Sequence, residues 1–122
     1  MKEGLVLEDI LPADFLSNLR DNMVTIIKVS AEWCGPCKKI APYVKELFNL
    51  TGDNVQLFYA DADENERLSH YWRIRKLPTF ISYVGREKTD ILESANQEEV
   101  LKFFQKVDLH SKLLSKSYKN NI

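Results

Sequence analysis

The spacing of apolar positions changes period several times along the chain, and each change marks an element. Leu5, Val6 and Leu7 make a short apolar run that predicts an edge strand. Pro12 suits the first turn of a helix, where its missing N–H costs nothing; Phe15, Leu16, Leu19 and Met23 follow at helical spacing. VTIIKVSA, from Val24 to Ala31, is β-branched and apolar, the composition of a buried central strand, interrupted by Lys28. From Cys34 the period lengthens. Cys37, Ile40, Ala41, Val44, Leu47 and Phe48 form one helical stripe, with lysines and glutamate opposite, and Gly52 and Asp53-Asn54 end it. VQLFYADA reads as a second buried strand, and ENERLSHYW as a helix that starts at an acidic turn. After Leu77-Pro78, TFISYV alternates as a strand, and Val84-Gly85-Arg86 turns it into a partner from Glu87 to Leu92. Asn96 caps a last helix with Val100, Leu101, Phe103, Phe104 and Val107 inward.

This order, β-α-β-α-β-α-β-β-α, implies an α/β fold. Strand–helix alternation gives a parallel core and the closing hairpin adds antiparallel strands, so one mixed sheet of about five strands carries helices on both faces. The 122 residues suit one domain, large enough to bury roughly 65% of its unfolded surface. We place that domain at residues 1–108. Residues 109–122, LHSKLLSKSYKNNI, carry lysines and no acid: a basic extension that either prolongs the last helix through Leu109, Leu113 and Leu114 or is disordered. It reads as a solvated extension or as a basic interaction tail.

Composition narrows the function by exclusion. With 44% hydrophobic and 29% charged residues and a net charge of −1, nothing suggests binding to nucleic acid or to a membrane surface. No apolar run is long enough to span a bilayer. MKEGLVLEDI places acids where a signal peptide needs its apolar core. Two cysteines three positions apart cannot build a structural disulfide framework, so the expected compartment is the cytosol or a similarly reducing one.

The candidate chemistry lies in AEWCGPCKK, Ala31 to Lys39. A CxxC at a strand-to-helix junction puts Cys34, exposed and ionised, at a helix N-terminus, where unpaired N–H groups and the positive end of the dipole stabilise a thiolate. A thiol pKa lowered from about 8.5 to about 7 raises the thiolate fraction roughly sixteen-fold at neutral pH. The accompanying loss of nucleophilicity takes back about five-fold, so the larger benefit is positional. Cys37 stands one turn away to resolve a mixed disulfide, and Gly35-Pro36 keeps the turn compact. Zinc would need more ligands than the pair supplies, and only His70 and His110, in unrelated segments, remain as candidates. An iron–sulfur cluster would also need two further ligands. Redox chemistry without a metal or bound cofactor is the reading that uses the junction and the Gly-Pro.

WCGPCKKIAP, followed downstream by LPTF, resembles the thioredoxin family over roughly residues 5 to 107. The resemblance implies a thioredoxin fold, with Cys34 as the attacking thiol and Cys37 as the buried resolving thiol. It makes Trp33, Gly35 and Pro36 the flat apolar rim that receives a protein disulfide. Pro42 is similar to the family's helix-kinking proline, and Pro78 to its cis proline beside the cysteines, where the backbone at Leu77 pairs with substrate. Ser94 and Ala95 fall in the substrate groove. The implied activity is reduction of disulfides in partner proteins by a monomer, with electrons from a thioredoxin-reductase-like donor. A thioredoxin-fold docking module with little turnover, and an oxidase or isomerase, are the competing readings.

The chain departs from the family pattern at four positions. Lys28 stands where the family usually carries a buried aspartate that assists proton transfer at the resolving cysteine. Tyr59 stands where a lysine on the neighbouring strand is usual, Ser30 where an aromatic is common, and Ser94 where a glycine is expected. A buried Lys28 could stabilise thiolates, or, with its own pKa lowered by desolvation, accept a proton. Alternatively its stem snorkels to solvent, or Asp61 or another acid neutralises it. Tyr71 and Trp72 read as packing, His70 as a surface residue, and Arg73, Arg75 and Lys76 as either a solvated turn or a patch selecting acidic partners.

Overall fold

The computed structural model describes residues 2–120. Its elements in chain order are β1 (Leu5–Val6), α1 (Pro12–Ser17), β2 (Val24–Ser30), α2 (Gly35–Asn49), β3 (Val55–Asp61), α3 (Glu66–Tyr71), β4 (Thr79–Val84), β5 (Glu87–Leu92) and α4 (Gln97–Asn120). The strands form one five-stranded sheet in the order β1-β3-β2-β4-β5. β1, β3 and β2 run parallel, and β4 and β5 are antiparallel additions. The mixed sheet expected from the alternation of elements is therefore present, with β2 at its centre.

Alternation along β2 divides the core between the two faces. Val24 and Ile26 pack with Val44, Phe48, Phe80, Phe103 and Val107 under α2 and α4. Ile27 and Val29 point the other way, onto Phe15, Leu19, Leu68 and Trp72 of the α1 and α3 side. On that side Phe15 meets Trp72 edge-on at 5.4 Å, and the Trp72 indole N–H donates to the Tyr83 hydroxyl at 3.0 Å. Tyr71 is exposed while Trp72 is buried, so only the tryptophan serves as core.

Several boundaries differ from the periodicity. α1 stops at Ser17 although Leu19 continues the apolar spacing; Leu19 is buried from the following turn instead. β2 and β3 each end one residue earlier than their apolar runs suggest, at Ser30 and Asp61, with a last bond from the Ala62 N–H to the Ser30 carbonyl. Gly85, with φ of 59°, makes the β4–β5 turn, a conformation that costs a residue with a side chain about 1–2 kcal/mol.

α4 begins as expected: the Asn96 carboxamide accepts from Glu99 N–H at 3.0 Å. Of the two forms considered for the basic extension, it takes the helical one through Asn120. Ser111 is 3% exposed and Leu114 packs against the core, whereas Leu109 and Leu113 face solvent. The remainder of that extension, 121–122, lies outside the described residues. Ser111 is held by Asn54, whose Nδ2 donates to the Ser111 carbonyl at 2.9 Å and whose Oδ1 accepts from the Ser111 hydroxyl. Lys2 ties the same corner, its Nζ 2.7 Å from Thr51 Oγ1 and 4.2 Å above the Phe48 ring. Val24 pairs with Val55 at this end and Ser30 with Asp61 at the other, so the corner lies at the opposite end of the sheet from the cysteines.

Candidate active site

The parallel strands β2 and β3 end at the same level, and the chain leaving β2 turns through Glu32-Trp33 into α2. Cys34 is the N-cap residue, in an extended conformation (φ −85°, ψ 102°). Its Sγ accepts from the Cys37 N–H at 3.2 Å, doing the work that a serine or aspartate oxygen does at other helix starts. Pro36 occupies the first turn, where no N–H is needed, and Pro42 lies inside α2. Cys34 and Cys37 are joined as a disulfide with Cα atoms 5.3 Å apart. Among the described residues no three His, Cys, Asp or Glu side chains converge as metal ligands would.

The sequence argument pictures Cys34 as an exposed, ionised sulfur. In this disulfide form it is neither: Cys34 is 4% exposed and Cys37 2%. Ala31 and Leu77 pack against the pair and cover it. Cys34 is instead reached from a surface hollow of about 430 Å³, lined by Trp33, Pro36, Ala62, Ile74, Lys76 and Leu77 among others. Trp33 stands 71% exposed at its rim, held by its indole N–H, which donates to Asp63 Oδ2 at 2.8 Å. Arg75 also lines the hollow and forms a bidentate pair with Glu93, at 3.0 and 3.1 Å, which holds the Glu93 carboxyl below its ordinary pKa.

The Leu77–Pro78 peptide bond is cis, and Pro78 is buried. Ser94 and Ala95 stand at the start of α4. The Ser94 hydroxyl accepts from Asn96 N–H at 3.0 Å and donates to Glu99 Oε1 at 3.3 Å, and Ala95 packs on the core. Trp33, Cys34, Gly35, Pro36 and Leu77 thus share one hollow, while Ser94 has its hydroxyl engaged in the helix start. Ala62, Asp63, Ser69 and Ile74 were not singled out by sequence reasoning. The signal was available for Ala62 and Asp63: a residue just past one parallel strand lies beside the residue just past its neighbour.

Lys28 neither snorkels nor pairs. It is 3% exposed, and its Nζ donates to the Cys37 carbonyl at 3.2 Å. Among the described residues it makes no ion pair with Asp61 or any other acid. Burial, with the Lys45 charge adding to it, lowers its pKa to about 8. Tyr59 is its partner in register on β3, as the family resemblance implied, and burial raises the Tyr59 pKa.

The Thioredoxin family profile matches residues 6–106. Among curated relatives, Thioredoxin-T of Drosophila melanogaster is 31% identical over 72% of this chain and 56% of its own length. Thioredoxin 1 of Plasmodium falciparum is 33% identical over 77% of this chain and 89% of its own length. The chain thus spans a little over half the length of the fly relative. Among solved structures, the Malassezia sympodialis thioredoxin superposes with a TM-score of 0.77 at 25% identity, covering 88% of this chain and 93% of the other.

Proposed function

The chain belongs to the thioredoxin family and has its fold, and on that premise we propose that it is a thiol–disulfide oxidoreductase that reduces disulfides in partner proteins. The observation that carries this reading is the sulfur of Cys34, seated as the N-cap of α2 and accepting the Cys37 N–H, with Cys34 lining a surface hollow. In the reduced protein the same N–H and helix terminus would face a Cys34 thiolate. That thiolate attacks one sulfur of the partner disulfide; the other sulfur leaves with the bonding electron pair and takes a proton. Cys37 then attacks Cys34, forms the intramolecular disulfide and releases the second partner thiol. Two electrons have passed to the partner, and no bound cofactor is required.

Trp33, Gly35 and Pro36 form the rim on which the partner lies, and Leu77, beside Pro78, offers backbone to it across the hollow. Ser94 and Ala95 extend that contact surface, and Lys28 modulates the pair from behind. Residues 1–108 constitute the redox unit, with the basic stretch from 109 as its extension. Among the described residues no helix is long and apolar enough to cross a membrane. We assign the working compartment to the cytosol, the electron donor to a thioredoxin-reductase-like protein, and the oligomeric state to a monomer.

The test is to replace Cys37 by Ser and look for mixed disulfides through Cys34, beside a disulfide-reduction assay of the intact protein. Trapped partners together with turnover are expected. Tight partner binding that survives loss of both thiols, without turnover, would identify a docking module instead.

A further inference from the structure

Three leucines lie open to solvent near the Asn54–Ser111 corner, away from the cysteines, and the sulfur exchanges use none of them. Leu50, the C-cap of α2, is 77% exposed, and Leu109 and Leu113 of α4 are 55% and 56% exposed. Leu50 and Leu109 line a hollow of about 340 Å³ between the two helices, together with Leu47, Leu101 and Phe104. Apolar residues scattered singly over a surface are ordinary, whereas a groove with three of them beside it marks a contact surface. Leu109, Lys112, Leu113 and Lys116 follow at the i, i+3, i+4, i+7 spacing, so one face of α4 carries apolar and basic groups side by side. The charge here is one-sided. From residue 102 onward the sequence holds five lysines and one aspartate, in a chain whose net charge is −1. Asp108 answers Lys112 at 2.9 Å and Asp90 of β5 reaches Lys106 at 3.8 Å. Lys102 and Lys116 have no acid beside them among the described residues.

We propose that this groove and the α4 face beside it are a docking site for an acidic amphipathic helix of another protein. A large apolar side chain of that helix seats between α2 and α4, and its carboxylates lie along Lys112 and Lys116. The apolar contact supplies most of the affinity, and the lysines set orientation and approach rate. The same features disfavour other occupants. A second copy of the chain would bring the same lysines to the same place, and like charges across an isologous contact repel. A bilayer takes up a helix by an apolar face that stands outermost. Here Leu47 and Phe104, 8% and 3% exposed, are set back between two helices, where a side chain can reach them and a lipid surface cannot. α2 is 15 residues long, about 22 Å, with the cysteines at its first turn and the groove at its last. A helix docked there leaves the rim at Trp33 and the hollow at Cys34 open. The site therefore recruits the chain to an acidic partner without blocking it, and docking needs neither thiol.

The experiment titrates the full disulfide-form chain, labelled for amide spectra, with a synthetic acidic peptide. The peptide has about 18 residues, enough to form a helix, with leucine and phenylalanine on one face and glutamate on the other. Saturable shifts are expected in residues 47–51 and 101–116, with residues 33–37 unmoved. Leu50→Gln and Leu109→Gln, both at solvent-facing positions, should each weaken binding by about five- to thirtyfold. They should leave the Tm of the free chain within about 3 °C of the parent's. Lys112→Gln combined with Lys116→Gln should weaken binding by about three- to tenfold at low salt, and the loss should shrink as salt is raised. Lack of saturable binding overturns the proposal, as do shifts centred on Trp33 and Cys34. Equal binding of a peptide with the same apolar face and lysine in place of glutamate overturns it too. Vesicles of phosphatidylcholine and phosphatidylglycerol that bind the chain where the peptide does not would assign the face to a membrane. Dimerisation of the parent that Leu109→Gln abolishes would assign it to a second copy, and either result overturns docking of a partner helix.

Discussion

Replacing Lys28 by methionine removes a desolvated amine while keeping nearly its length, and in the oxidised protein the change should stabilise the fold. The Lys28 pKa is about 8 in the folded chain against an ordinary 10.5. At neutral pH the unfolded chain holds this proton readily and the folded chain at a cost of about 3 kcal/mol. That cost is full below pH 8. It is relieved as pH rises toward 10.5, because there the unfolded state binds a proton that the folded state has released. Methionine also forfeits the hydrogen bond to the Cys37 carbonyl, worth about 1 kcal/mol. The larger effect wins: Lys28→Met should be about 2 kcal/mol more stable than the parent at pH 7, a rise in Tm of roughly 6–10 °C. Near pH 10.5 the order should reverse by about 1 kcal/mol, when only the lost hydrogen bond remains. Urea unfolding of both disulfide-form proteins at pH 7, 8.5 and 10.5 measures this. Tyrosines that titrate at the top of the range largely cancel in the difference. A variant less stable than its parent at pH 7, or a difference independent of pH, would refute the picture of a strained, unpaired amine.

Phe80 is fully buried in the centre of the sheet, with its ring 5.8 Å from that of Phe103, so Phe80→Ala should cost about 3–5 kcal/mol in denaturant unfolding. A loss below about 1 kcal/mol would mean that the core collapses around the deletion. Asn54→Ala removes both hydrogen bonds that hold Ser111 and should cost about 1–2 kcal/mol. Amide hydrogen exchange should quicken in α4 beyond residue 108 and stay unchanged in β2; equal exchange along α4 in both proteins would show that the clamp contributes nothing.

The legible elements are those with a clear apolar period or a marked turn or cap at their ends: β2, α2, the β4–β5 hairpin and the start of α4. Cys34 as a helix cap could also be read, because it follows from the strand-to-helix junction, and Lys28 beside Tyr59 was implied by the family resemblance. The short helices could not be bounded, since Leu19 is buried as effectively from a turn as from α1. The fate of Lys28 was open because sequence cannot say whether an acid lies within reach of a long side chain. Asp61 is two residues along β3 from the register partner of Lys28, on the same face, and still does not pair. Burial of Cys34 was not anticipated either, because its cover, Leu77, comes from a loop distant in sequence. Likewise, nothing local marks Asn54 as the partner of Ser111, which lies 57 residues away.

The course of α4 has a mechanical corollary. The helix starts near the cysteine end of the sheet, is clamped by Asn54 at the other end, and continues to Asn120. Past Leu114, which still packs on the core, it continues for about 9 Å. A cargo or tether attached there would be carried on a stiff rod that points away from Trp33 and Cys34, so the reactive rim would be presented outward in a fixed pose rather than swinging on a loose leash.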